Sequence, residues 1–222
     1  MAVAVLLPAV AYLVQSIDGN GGRLFLKKAD GTIHPMWLLV YLPFVASRYF
    51  NLLVVRLVTH EPPATDLGGA LLLGGRLFPW DRKVLDEGRV SAVLDVCAEL
   101  PRDLSMGKGL PHYLAVPVLD SSGPTVRQLA HGVEWALSHL QAGEGVLVQC
   151  TLGHGRSAIF AAALLLTTGR ATTIEEAIRI MRSSRPRIGL NRRQKASLEK
   201  ALGAGVLPSL DPASRPAPRQ SL

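Results

Sequence analysis

Gly145-Val-Leu-Val-Gln-Cys-Thr-Leu-Gly-His-Gly-Arg-Ser157 is the stretch that decides how this chain folds. Its first five residues form an apolar run too short for a helix and suited to a buried strand, and an alanine- and leucine-rich segment of helical period follows Arg156 as far as Thr168. In a strand-loop-helix unit the loop amides and the first turn of the helix point at one spot, which makes a cradle for an anion. Cys150 opens that loop and Arg156 closes it. The positive helix end and the guanidinium favour the thiolate, and the guanidinium is a fork able to hold two phosphate oxygens. Gly153 and Gly155 permit tight curvature and close backbone approach.

Outward from this loop the same alternation repeats. Short apolar runs at 70–73, 91–96 and 113–118 read as further buried strands, separated by segments of helical period. One helix is expected near Asp81 and another from Pro124 to Leu140. Thr173 with Glu176, and Asn191 with Gln194, have the spacing of capping boxes for two more. The pattern predicts an α/β fold, a central mainly parallel sheet flanked by helices. Cys97, closing the run at 91–96, reads as a core residue, and Trp80 and Trp135 as packing residues. Two cysteines in 222 residues exclude a disulfide scaffold.

The pattern Cys-x5-Arg-Ser, placed after a buried strand and before a helix, resembles the cysteine-dependent dual-specificity and protein tyrosine phosphatase superfamily. The likeness extends from about residue 66 to 202, and Asp120 to Ser157 is similar to the lipid-directed branch that includes phosphatidylglycerophosphate phosphatases. Arg185-Pro-Arg-Ile-Gly-Leu-Asn191 is similar to the segment that follows the loop in dual-specificity phosphatases. Bacterial membrane-attached members share the Cys-x-Leu-Gly-x-x-Arg-Ser loop. The resemblance implies Cys150 as nucleophile and Asp120 as general acid, with Ser157 hydrogen-bonding the leaving thiolate. The phosphate would be bound by Thr151, Leu152, Gly153, His154, Gly155 and Arg156, and neither cofactor nor metal is implied. Asp120 alone reads equally well as a turn or capping residue before Pro124. One position departs from the family: Gln149 stands where a histidine usually precedes the nucleophile.

The net charge of +7 has a single address. Between Arg179 and Lys200 eight basic residues face Glu199 alone, while elsewhere 16 basic and 16 acidic residues cancel. A patch so concentrated suits an anionic partner or a solvated helix face. Within it Arg185, Arg187, Arg192 and Arg193 are expected to form a substrate or membrane patch. Nucleic acid is disfavoured, because no aromatic residues interleave with these charges.

Residues 1–63 read as a hydrophobic membrane-associated module, 64–202 as the catalytic domain and 203–222 as a flexible tail. The apolar run at 2–14 is shorter than a span needs, and the run at 36–58 is interrupted by Pro43, Arg48 and Arg56. Arginines are costly in hydrocarbon, so the second segment is expected to lie in the interface; the alternatives are a crossing helix and simple packing on the domain. A basic loop with Arg23, Lys27 and Lys28 joins the two runs. Membrane attachment, at the bacterial inner membrane with the catalytic domain on the cytoplasmic side, is the localisation implied. Three functions follow: a phosphatase acting on a phospholipid headgroup or phosphoinositide, a phosphoprotein phosphatase, or a phosphate-binding protein without turnover. Oligomeric state is left open.

Overall fold

The computed structural model describes residues 2–19, 21–102 and 112–208. Two helices lead, α1 (Ala2–Asp18) and α2 (Pro35–Thr59), followed by β1 (Ala64–Asp66), β2 (Leu71–Gly74), α3 (Lys83–Glu87), β3 (Val90–Cys97) and β4 (His112–Val118). Then come α4 (Val126–Gln141), β5 (Gly145–Gln149), α5 (Arg156–Thr167), α6 (Ile174–Ser184) and α7 (Arg192–Gly203). The sheet order is β1-β2-β5-β3-β4, with all neighbours parallel except the β1–β2 pair. The expected α/β architecture is therefore present. The edge strand β1 was not anticipated: its three residues, Ala-Thr-Asp, are too short and too polar to register as an apolar run.

Side chains alternate across the sheet and define two faces. Leu71, Leu73, Leu94, Val96, Val146 and Val148 meet α4 to α7, whereas Leu72, Val93 and Leu147 pack on the α3 side with Leu77 and Leu85. Helix α5 is buried from Arg156 to Leu165, which explains a composition of Ala, Leu, Ile and Phe with no outward polar stripe. Helix α4 starts at a full capping box between Thr125 and Gln128 and buries Leu129, Val133, Ala136, Leu137 and Leu140, one stripe of an amphipathic helix. A Cβ at Gly132 would come within 2.6 Å of the Phe160 ring, so glycine sets the spacing between α4 and α5.

The N-terminal helices cap the ends of β3 and β4. Ala11, Phe25, Tyr41 and Val45 share a core cluster with Cys97, Ala98, Leu100 and Leu119. On α2 the residues Tyr41, Val45, Arg48, Leu52 and Arg56 fall on one helical stripe, and that stripe faces the domain. Tyr41, Val45 and Leu52 are buried. Arg48 pairs with Asp120 and Glu99, and Arg56 pairs with Asp81 and donates to Arg76 O. The arginines expected at a lipid interface are thus held by protein carboxylates. The opposite stripe, Leu39, Leu42, Ala46, Phe50, Leu53 and Leu57, is exposed throughout. By length and composition α2 is a candidate membrane segment.

Lys27 departs from its expected place in a free basic loop. It is buried and donates to Asp95 Oδ2 at 2.5 Å and to Cys97 O at 2.8 Å. Arg76 reaches the same carboxylate oxygen at 2.8 Å, and the Tyr113 hydroxyl donates to it as well. Burial alone would raise the Asp95 carboxyl, but Arg76 and Lys27 draw it down to about 2.

Candidate active site

Strand β5 carries Cys150 to the C-terminal edge of the sheet, where its Sγ accepts hydrogen bonds from Gly153 N–H at 3.2 Å and from the Ser157 hydroxyl at 3.3 Å. Both contacts place a donor against sulfur, where negative charge would be stabilised. Of the two loop glycines, Gly153 alone has a left-handed backbone (φ +83°), with Gly74 so close that a Cβ would approach its carbonyl carbon to 2.6 Å. Gly155 caps α5 without a side-chain hydrogen bond, which leaves the first-turn amides as donors toward the loop.

Arg156 is buried and fixed by Thr151 of the loop together with two residues that no motif marks, Glu99 and Val118. Its Nη1 donates to Glu99 Oε2 at 2.7 Å and to Val118 O at 2.9 Å; Nη2 donates to Glu99 Oε1 and to Thr151 Oγ1, each at 2.8 Å. The guanidinium fork expected to hold phosphate is therefore engaged by Glu99. With the four Nη hydrogens used, Nε–H is the remaining donor of this group. Burial would penalise both charges, yet pairing dominates: the Glu99 carboxyl lies well below the usual carboxylate range and the Arg156 guanidinium well above its ordinary value. Glu99 sits in Cys97-Ala-Glu-Leu100, and a lone acid between buried apolar residues is a signal that could have marked it.

Asp120 lies at the mouth of the same cavity. Its carboxylate pairs with Arg48 and stands 3.4 Å from Arg156 Nη2, and Ser121 N–H donates to it at 3.1 Å. The Asp120 loop is tied down by α7: Asn191 Nδ2 donates to Ser121 O, Gln194 Nε2 to Ser122 O and the Ser197 hydroxyl to Pro124 O. The Asn191–Gln194 capping box is fully formed, so the residues that start α7 also position the loop bearing Asp120. The Thr173 box is half formed, because Glu176 turns back to Thr172 instead.

The cavity, about 220 Å³, is lined by Cys150, Thr151, Leu152, His154, Gly155 and Arg156 from the loop, by Asp120 and Ser121, and by Gly189, Asn191 and Gln194. Arg48 of α2 completes it. His154 meets Glu61 Oε2 at 2.5 Å, which links the loop to the segment after α2. Cys97 is buried with its thiol pushed up to about 11, by burial and then by the Glu99 charge, in keeping with a core role. Gln149 is fully buried in β5, between Gly74 of β2 and Asp95 of β3.

The basic patch needs correction at one position. Arg185 is buried and donates to Pro62 O at 2.8 Å and Leu152 O at 3.2 Å, so it clamps the loop that follows β5 rather than facing a partner. Arg187 is half exposed near Glu61, and Arg192 and Arg193 are exposed. Trp80, expected to pack, is 70% exposed and stacks on Phe78.

A buried strand that delivers a cysteine into a loop closed by a buried arginine defines a cysteine-dependent phosphatase, and residues 80–201 match the model of the dual specificity phosphatase catalytic domain. The chain belongs to that family and is a phosphoric monoester hydrolase. Among solved structures it is similar to Tk-PTP in the active form, at 24% identity and a TM-score of 0.56, covering 63% of this chain and 96% of that one. It is also similar to PTPMT1 in complex with PI(5)P, at 22% identity, TM-score 0.52 and coverages of 64% and 96%. A third likeness is to the human tyrosine phosphatase-like serine/threonine/tyrosine-interacting protein, at 20% identity, TM-score 0.58 and coverages of 66% and 99%. At these identities the likenesses bear on the fold.

Proposed function

We propose that this chain is a membrane-associated phosphatase that removes a phosphomonoester from a phospholipid headgroup. Cys150 thiolate attacks phosphorus in line, forming an S–P bond as the bond to the leaving oxygen breaks and Asp120 delivers a proton to that oxygen. The loop amides of 151–156 and the remaining Nε–H of Arg156 stabilise the equatorial oxygens. Water then attacks the phosphocysteine with Asp120 as base, and the Ser157 hydroxyl donates to the departing thiolate. Residues 1–63 act in this scheme as a layer joined to the catalytic domain 64–202.

The observation that carries the lipid reading is the two-sided character of α2. One stripe is locked to the catalytic domain and reaches the cavity through Arg48, while Leu39, Leu42, Phe50, Leu53 and Leu57 form an exposed apolar stripe. A helix so arranged suits the bilayer surface, with the cavity beside it. The complex of PTPMT1 with PI(5)P agrees with a phosphorylated lipid as substrate class.

The test replaces Leu53 and Leu57 with Glu. Flotation with anionic vesicles should be lost and turnover of phosphatidylglycerophosphate in those vesicles should fall at least about tenfold, with hydrolysis of a soluble aryl phosphate retained. Cys150→Ser should abolish turnover of every substrate. Wild-type protein that hydrolyses phosphotyrosyl peptides but neither phosphatidylglycerophosphate nor phosphoinositides would overturn the lipid reading in favour of a phosphoprotein phosphatase.

A further inference from the structure

Arg48 belongs to a helix outside the matched family region, which begins at residue 80, yet it forms part of the cavity wall around Cys150. Its Nη2 touches Asp120 and lies 3.4 Å from Glu99 Oε1. Glu99 already receives both arms of Arg156, so it offers Arg48 only a peripheral contact. The Nε of Arg48 is buried and has no acceptor among the described residues. Glu99 shares in the charge balance of this guanidinium, but Asp120 is the close acceptor on which it depends.

That dependence conflicts with the reaction. Two guanidinium groups and two carboxylates balance while Asp120 is ionised. Protonation of the leaving oxygen needs Asp120 to arrive as the neutral acid, and Arg48 then loses its close acceptor in a partly buried site, keeping the 3.4 Å contact with Glu99. The phosphomonoester itself is the business of Arg156 and the loop amides. Resting on the lipid-phosphatase reading above, we infer that Arg48 is a specificity residue that binds a second anionic group of the substrate, a phosphodiester a few bonds from the phosphomonoester. In a phospholipid phosphorylated on its headgroup, that diester lies on the bilayer side of the monoester. Arg48 is placed accordingly, on the inner stripe of the helix whose outer stripe is apolar and exposed. Exchange of Arg48 from Asp120 to the diester also frees Asp120 for the leaving oxygen, so binding of the correct substrate assembles the acid.

The test uses the full chain and two soluble substrates: glycerophosphoglycerol phosphate, which has a diester beside its monoester, and glycerol phosphate, which has the monoester alone. Wild-type kcat/KM should favour the first by at least about tenfold, and Arg48→Gln should reduce that preference to within about twofold. Arg48→Lys, which keeps the charge, should retain an intermediate preference. Thermal unfolding checks that each variant is folded, and the wild-type ratio needs no variant. Absence of a preference in the wild type overturns the proposal. An equal loss on both substrates in Arg48→Gln also overturns it, leaving Arg48 as a positioning residue for Asp120. A preference that depends on Arg48 only for phosphopeptides with neighbouring carboxylates would overturn the phosphodiester as the anion. The lipid reading fails separately, if both soluble compounds are hydrolysed and phosphatidylglycerophosphate in vesicles is not.

Discussion

Two carboxylates four residues apart at the end of β3 each face two cations, and they serve different ends. Asp95 meets Lys27 and Arg76, and all three side chains are fully buried. Glu99 meets Arg156 and Arg48, and its cluster continues through Asp120, whose side chain is 38% exposed, to the cavity. The closed cluster joins the segment between α1 and α2 to the sheet. The open one orients Arg156 beside Cys150. Ion pairing and shifted carboxyls occur in both, so neither marks a catalytic site; a member that reaches solvent beside a nucleophile does.

The largest effect expected is on the closed cluster. Asp95→Asn strands two buried cations and should cost about 3–5 kcal/mol, read as a fall in the denaturant midpoint. The folded fraction should still hydrolyse aryl phosphate at close to the wild-type rate. A variant with normal stability and lost activity would erase the division between the clusters. Glu99→Gln should do the reverse in proportion: a fall in kcat/KM of about 100-fold, because Arg156 loses the partner that aims it, with a smaller stability loss since Asp120 stays 3.4 Å from Arg156 and still pairs with Arg48. If Glu99→Gln leaves kcat/KM intact, Arg156 is aimed by Val118 and Thr151 alone.

Acid sharpens the comparison further. Asp95 has a folded value of about 2 against 3.8 for the unfolded group. A depressed carboxyl stabilises above its unfolded value and loses that contribution as pH falls through the folded one. About 2 kcal/mol of stability should therefore disappear between roughly pH 4 and pH 2. Asp95→Asn should flatten that part of the stability–pH curve. An unchanged acid limb would assign the loss to other carboxylates.

The loop between β5 and α5 was legible because its pattern is local: Cys150, Gly153, Arg156 and Ser157 lie within eight residues, and strand and helix periods flank them. The four buried parallel strands were legible for the same reason, as short apolar runs. What escaped was made by distance. Glu99 is 57 residues from Arg156, and Arg48 is 72 from Asp120, so no spacing rule joins them. Arg48 and Arg56 read as obstacles to membrane burial because an arginine in an apolar run has no visible partner. Their shared stripe with Tyr41, Val45 and Leu52 was the available clue that one face of α2 packs against protein. Lys27 and Arg185 misled in the same way: each counts as surface charge until the fold places a carboxylate or a carbonyl against it.

The smallest effect expected lies at the seam of the two clusters. Cys97 donates its N–H to Asp95 Oδ1 at 3.0 Å, accepts from Lys27 at its carbonyl, and places Sγ 3.3 Å from Thr151 Oγ1, which itself donates to Glu99. Two of these contacts are backbone and survive any side-chain change; only the sulfur contact links the residue to the active side. Cys97→Ala should therefore cost no more than about 1–2 kcal/mol of stability and change kcat on aryl phosphate by less than about threefold. With its thiol near 11, Cys97 should also resist iodoacetamide at neutral pH in the folded protein, so that one equivalent of label tracks loss of activity at Cys150. Fast labelling of Cys97, or a large loss of kcat in Cys97→Ala, would mean that the two clusters communicate through this side chain. Combining Asp95→Asn with Glu99→Gln would then give a loss different from the sum of the separate losses.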